Sequence, residues 1–297
     1  MANQLRFLEP KILSKISGME LRARTVVEGF IYGLHCSPYR GFSVEFAEYR
    51  EYTPGDDIKF IDWKIFARSD RYYIKEFEEE TNLNSHILLD TSASMNYGIA
   101  GLSKLDYGSY LAASLGYLIF QQRDGVGLVT FDTEIQQFIP SRNRKGHMLS
   151  ILRTLENLSC DHKTDMALPL HQIAEMLNKK GLIILISDLL DDPESVLQGL
   201  QHLRFKGHDV IVFHVLDETE LNFPFQTATK FMDMEGNTQL MAIPTIVRDS
   251  YMKKLNAHID AFKKGCGRLQ IDYKILDTKQ PLDFALFSYL TNRSRKG

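Results

Sequence analysis

Two short apolar runs interrupt the amphipathic pattern of this chain. Ile87-Leu88-Leu89 runs straight into Asp90, and Leu182-Ile183-Ile184-Leu185-Ile186 runs into Ser187-Asp188. A run without polar alternation suits a strand covered on both faces, as in a parallel sheet. Around these runs the periodicity is helical. It predicts helices over 105–122, 145–158, 166–177, 196–205 and 246–262, and a last helix from Pro281. Ala112, Ala113, Ser114 and Gly116 give the first of these small residues with which a helix can approach a sheet closely. Residues 125–131, 210–215 and 269–276 read as further strands, 134–139 as a short hairpin partner, and 231–237 as a second hairpin turning at Gly236-Asn237. Strand and helix alternate throughout. That argues for an α/β domain over 86–297, a mostly parallel sheet with helices on both faces.

Residues 1–85 have a different texture. Helical spacing over 8–16 stops before Gly18, and from residue 24 onward β-branched and aromatic residues are broken by Gly and Pro. Residues 42–46 and 72–77 alternate with period two, as strands with one polar face do. Between them lies the densest polar stretch of the chain. Pro54-Gly55 is a turn pair, Asp56-Asp57 can cap the next element, and Trp63 stands beside Asp62, an acceptor for its indole N–H. The expectation is an N-terminal helix with a β-rich extension.

Composition narrows the functional classes. The chain has 297 residues, 44% hydrophobic and 25% charged, ordinary values for a globular protein. A net charge of −3 gives no reason to expect nucleic acid as partner. Cys36, Cys160 and Cys266 are far apart and form no Cys-x-x-Cys pair, so a disulfide framework or a thiolate zinc site is not expected. No apolar run approaches the roughly 20 residues that cross a bilayer, and residues 1–18 lack a secretory pattern. The expectation is a cytoplasmic protein without membrane insertion. There is no Gly-x-x-x-x-Gly-Lys-Ser/Thr loop of the kind that cradles nucleotide phosphates.

The chemistry concentrates after the first apolar run. Asp90, Ser92 and Ser94 would share one tight loop at a strand end, where open α/β sheets hold their ligands. One carboxylate and two hydroxyls are hard donors, suited to Mg²⁺, Mn²⁺ or Ca²⁺. The plainer alternative is a turn that caps the next helix. An enzymatic alternative is a Mg²⁺-dependent phosphohydrolase of the haloacid-dehalogenase type, with Asp90 as nucleophile and the acidic run through Asp188, Asp191 and Asp192 as its second cluster. Such an enzyme needs a general acid two residues after the nucleophile, and that position is Ser92.

The polar stretch also carries a resemblance. Tyr49-Arg50-Glu51-Tyr52, then Pro54-Gly55-Asp56-Asp57, Asp62-Trp63 and Arg68, resembles the signature of the bacterial family called domain of unknown function 58. The resemblance implies a von Willebrand factor A-like domain associated with MoxR-type AAA+ ATPases. It also implies that Asp90, Ser92 and Ser94 resemble the first loop of a metal-ion-dependent adhesion site, completed by Thr164 and Asp188. A mostly neutral ligand set around Mg²⁺ would favour an added carboxylate from outside, so the implied role is a non-enzymatic adaptor that binds the ATPase or a client protein. Arg50, Asp56, Asp57, Asp62 and Arg68 are expected to form a paired network that holds the extension to the domain, since buried charges are normally paired.

Overall fold

The computed structural model describes residues 13, 18–35, 49–51, 72–75, 83–98, 101–158, 160, 165–232, 234 and 239–294. In chain order the elements are α1 (Met19–His35), β1 (Tyr49–Glu51), β2 (Tyr73–Lys75), β3 (Asn84–Asp90), a 3₁₀ turn (Ala93–Asn96), α2 (Lys104–Gln121), β4 (Gly125–Phe131) and β5 (Ile135–Arg142). After these come α3 (Lys145–Glu156), α4 (Ala167–Met176), β6 (Gly181–Ser187), α5 (Pro193–Phe205), β7 (Asp209–Leu216) and α6 (Glu218–Asn222). β8 (Thr229–Met232), β9 (Gln239–Ala242), α7 (Pro244–Arg268), β10 (Asp272–Asp277) and α8 (Asp283–Ser294) close the chain.

The central sheet has the order β10-β7-β6-β3-β4-β5. All its pairs are parallel except β4 with β5, the antiparallel edge. The chain starts in the middle at β3, moves outward to β5, then returns to the other side of β3 with β6 and moves outward again. At that reversal the carboxyl ends of β3 and β6 lie side by side while their connections leave in opposite directions. That is the crevice position at which such sheets bind ligands. Asp90 ends β3, and Asp188 comes directly after the last residue of β6.

The continuous apolar runs are explained by two cores. Ile87 and Leu89 of β3 and Leu182, Ile184 and Ile186 of β6 face the layer built by α1, α2, α3 and α8. Leu88 and then Ile183 and Leu185 face the opposite layer, with α4, α5 and α7. Each strand therefore feeds both layers, which is why the run shows no alternation of apolar and polar residues. α2 lies close against the sheet because two of its positions lack a side chain. An added Cβ at Gly116 would meet Met148 Cε at 3.2 Å, and one at Gly108 would meet Leu89 Cδ1 at 3.1 Å and Ile186 Cγ2 at 3.3 Å.

Residues 24–35 depart from the sequence expectation. They are not β-textured but belong to α1, whose Met19, Ala23, Val26, Val27 and Phe30 are buried at helical spacing against the first layer. Burial of such a stripe, roughly 1.5–3 kcal/mol per large apolar side chain, outweighs the modest helix penalty of β-branched residues. β1 pairs antiparallel with β2, with Tyr49 opposite Lys75. The strand expected over 42–46 lies outside the described residues. So does the helix expected over 8–16, apart from Leu13, which is helical and fully buried. The hairpin expected near 231–237 is formed by β8 and β9, and its expected turn pair, Gly236-Asn237, lies outside the described residues.

The close approach of α2 generates a test. Gly108→Val should place methyl groups against Leu89 and Ile186 and cost about 1–3 kcal/mol by overpacking. Thermal melting should show the lowered midpoint, and an unchanged midpoint would mean that the helix can move off the sheet freely.

Candidate functional site

Asp90, Ser92 and Ser94 form one buried loop. Asp90 and Ser92 are fully buried and Ser94 nearly so. The loop closes on itself: Ser92 N–H donates to Asp90 Oδ1 at 2.9 Å, and the Ser92 and Ser94 hydroxyls share a hydrogen bond at 3.0 Å. Thr91 pins the loop to the neighbouring strand, its N–H and its hydroxyl both donating to the Phe131 carbonyl, at 2.8 and 3.0 Å. From β6, the Ser187 hydroxyl donates to Asp90 Oδ2 at 2.5 Å and so ties the two central strands together at their carboxyl ends.

The loop after β6 is held just as firmly. Asp188 is fully buried, and the next residue, Leu189, has a left-handed φ of +52°. A leucine in that conformation costs on the order of 1–3 kcal/mol and persists only where its surroundings dictate it. Here Leu189 N–H donates to Ser187 Oγ at 2.8 Å, and its carbonyl accepts from Asp191 N–H at 2.8 Å and from His258 Nε2 at 2.9 Å. Asp191 Oδ2 accepts the Met166 N–H at 2.9 Å, which anchors the chain entering α4 beside this loop. Thr164, two residues before Met166, lies outside the described residues. Asp192 caps α5, accepting from Ser195 N–H at 2.9 Å. Asp191 and Asp192, two of the three acidic residues in the second cluster of the phosphohydrolase alternative, thus hold local structure.

Electrostatics set the character of the crevice. Among the described residues the hydrogen-bond donors to Asp90 are neutral, the Ser92 amide and the Ser187 hydroxyl. Burial first, and then the nearby Asp188 charge, push the Asp90 carboxyl up to about 7. Asp188 has a cation of its own. Lys104, fully buried at the first turn of α2, donates from Nζ to Asp188 Oδ2 at 2.7 Å and to Glu220 Oε1 at 2.9 Å. Burial would lower the Lys104 ammonium, but Asp188 and then Glu220 outweigh it and hold it well above the usual lysine value. Glu220 itself is raised by burial against the pull of Lys104. It sits in the capping box of α6, where its Oε2 accepts the Asp217 N–H at 2.8 Å.

Lys104 and Glu220 were not legible as site residues. Their pairing joins positions 116 residues apart, and each looks in sequence like an ordinary member of a helix start. Ser187 was visible only as the residue before Asp188. Of the family signature, Tyr49 and Arg50 lie in β1, while Pro54, Gly55, Asp56, Asp57, Asp62, Trp63 and Arg68 lie outside the described residues.

The donor set suits a hard divalent cation. The Asp90 carboxylate and the Ser92 and Ser94 hydroxyls share one loop within electrostatic reach of Asp188, and among the described residues Asp90 is buried without a counter-charge in contact, an arrangement that an ion would relieve. Among the described residues no group of three or more His, Cys, Asp and Glu side chains could hold a metal, so an ion here would depend on the hydroxyls. Lys104 is the departure from a simple oxygen cage.

The sign of the Asp90 shift fixes its effect on stability. The folded pKa of Asp90 lies above its unfolded value, so the fold favours the protonated form; this contribution is complete below about pH 4 and is lost as pH rises through about 7. Asp90→Asn at pH 8, with a chelator present, should therefore raise the melting midpoint by about 5 °C. A lowered midpoint would mean that the Asp90 charge is compensated in the fold.

Comparison with known proteins bears on the fold and the family. The uncharacterized protein Rv1480 of Mycobacterium tuberculosis is 24% identical over 266 residues, 87% of this chain and 83% of that protein. Among solved structures, the conserved hypothetical protein BatB from Bacteroides thetaiotaomicron superimposes with a TM-score of 0.50 at 16% identity, covering 72% of this chain and all of that one. The SpRpn10 VWA domain gives a TM-score of 0.39 at 13% identity, covering 71% of this chain and 95% of that domain. The fold is a mostly parallel α/β sheet with helices on both faces, similar to that of BatB. A family model described as "Protein of unknown function DUF58" matches residues 48–261, most of the chain, and the protein belongs to that family.

Proposed function

We propose that this protein is a non-enzymatic, metal-dependent protein-binding adaptor that works with a MoxR-type AAA+ ATPase in the assembly or maturation of a client. The observation that carries the reading is the crevice at the sheet reversal, where Asp90 is buried beside Asp188 and its donors among the described residues are neutral. Asp90, Ser92, Ser94 and Asp188, with Thr164, would hold Mg²⁺ (or Mn²⁺ or Ca²⁺), which would supply an electrophilic position for a carboxylate from the partner. The chain's own part is to keep the oxygen donors in place through the Thr91, Ser187 and Leu189 contacts. Partner affinity would come from the surface around that point, since one coordination bond is small beside a protein interface.

Catalysis has less support. The residue two positions after Asp90 is Ser92, whose hydroxyl is engaged with Ser94, and a hydroxyl cannot serve as the acid that protonates a leaving group. No helix among the described residues is long and apolar enough to cross a membrane.

The test is a pull-down of a MoxR-type ATPase from the same organism, with and without EDTA, using wild type and Ser92→Ala. Both chelation and the substitution should weaken capture at least about tenfold, the loss of one strong contact, while thermal melting shows the domain still folded. Capture that is indifferent to EDTA and to Ser92→Ala would overturn the metal-dependent reading.

A further inference from the structure

We infer that Lys104 sets the divalent-ion affinity of the Asp90–Asp188 crevice by acting as its resident cation, with Glu220 holding part of that charge away. The inference rests on the metal-binding reading above and concerns a residue outside the ligand set that reading uses.

Lys104 has no freedom to serve elsewhere. It is the first residue of α2, directly after Ser103, whose hydroxyl accepts the Asp106 N–H at 3.0 Å while Asp106 Oδ2 accepts the Ser103 N–H at 3.0 Å. Its own N–H donates to the Tyr97 carbonyl at 2.9 Å, so both sides of its Cα are tied down. The ammonium then lies 5.6 Å from the centre of the Tyr97 ring, and the Tyr97 hydroxyl is bonded to Thr219 of α6 at 2.8 Å. The lysine side chain is 0% exposed. It therefore cannot reach a carboxylate on a partner protein, and its charge acts inward.

The target of that charge is Asp188. Lys104 Nζ bonds one oxygen of that carboxylate, Oδ2. The other, Oδ1, has a 3.4 Å contact with the Leu190 N–H. A fixed positive charge in contact with one ligand repels any divalent ion that shares it, an effect that Coulomb's law makes substantial at these separations. Glu220 works in the opposite direction. It receives the same ammonium at 2.9 Å and is itself fixed by the α6 capping box and by the Tyr251 hydroxyl, which donates to its carbonyl at 3.0 Å. With Glu220 present the ammonium is shared between two carboxylates; without it, the whole charge falls on Asp188. A lysine with a merely structural role would show no such opposition between the two partners.

Titration with MnCl₂ by calorimetry, on the full chain, separates these cases. Glu220→Gln should weaken Mn²⁺ binding several-fold, because it leaves the Lys104 charge on Asp188. The double variant Lys104→Met/Glu220→Gln should tighten binding at least about tenfold, because it removes the repelling charge altogether. Lys104→Met alone should tighten it further, and its melting midpoint should become strongly dependent on Mn²⁺, since Asp188 and Glu220 are then left without their cation. If Lys104→Met does not fold, the Glu220→Gln and double variants carry the test. Mn²⁺ binding by the double variant but not by wild type would support the inference in its strongest form. Wild-type affinity in both Glu220→Gln and the double variant, or tighter binding by Glu220→Gln, would overturn it and leave the metal reading standing. No Mn²⁺ binding by any folded form would remove both.

Discussion

Three carboxylates and one ammonium are packed at the point where this sheet reverses its order. Asp90, Asp188 and Lys104 are fully buried, and Glu220 is 16% exposed. In a low-dielectric interior such a group is strongly unfavourable unless it is fully paired, and among the described residues the donors to Asp90 are neutral. Replacement by apolar residues would be the easier solution for stability alone. The geometry that keeps these charges together is therefore the constraint around which the surrounding loops are arranged.

The loops show the cost of that arrangement. Leu189 is held in a left-handed conformation by its three hydrogen bonds, Asp191 ties the β6 loop to the start of α4, and Thr91 ties the β3 loop to β4. Strain over-determined by its neighbours tends to mark a functional crevice. The supporting scaffold is correspondingly rigid. β3 and β6 bury every inner residue on two layers, so the ends that carry Asp90 and Asp188 cannot shift without disturbing both cores. Such rigidity keeps ligands placed before anything binds, which lowers the ordering cost of association.

How much of this is legible in the chain depends on the range of the physics involved. The strands β3, β4 and β6 are local features, uniform apolar runs bounded by polar residues, and they fall within a residue or two of the positions that periodicity predicts. α1 departs from its expected texture because Thr25, Val26, Val27 and Ile31 favour strands intrinsically; its helical stripe has meaning only once α2 is present to cover it. Asp90, Ser92 and Ser94 are visible because they lie on one short loop. Asp188 is visible as the end of a second apolar run. Lys104 and Glu220 are not, because nothing local distinguishes a lysine at a helix start that faces solvent from one that is drawn inward to meet two acids. The charge balance of the crevice is a tertiary property, and it is this balance that gives the site its individuality.

On this account the crevice is a cation site whose affinity is tempered by a built-in ammonium, and whose purpose is to present one point of attachment to another protein. The most direct measurement is a crystal structure of the protein grown with MnCl₂, with data collected at a wavelength where manganese scatters anomalously. The account predicts a single anomalous peak bounded by Asp90, Ser92 and Ser94, with Lys104 still on Asp188. Clear density for these residues with no anomalous peak between them, at Mn²⁺ concentrations in the millimolar range typical of weak extracellular cation sites, would contradict it.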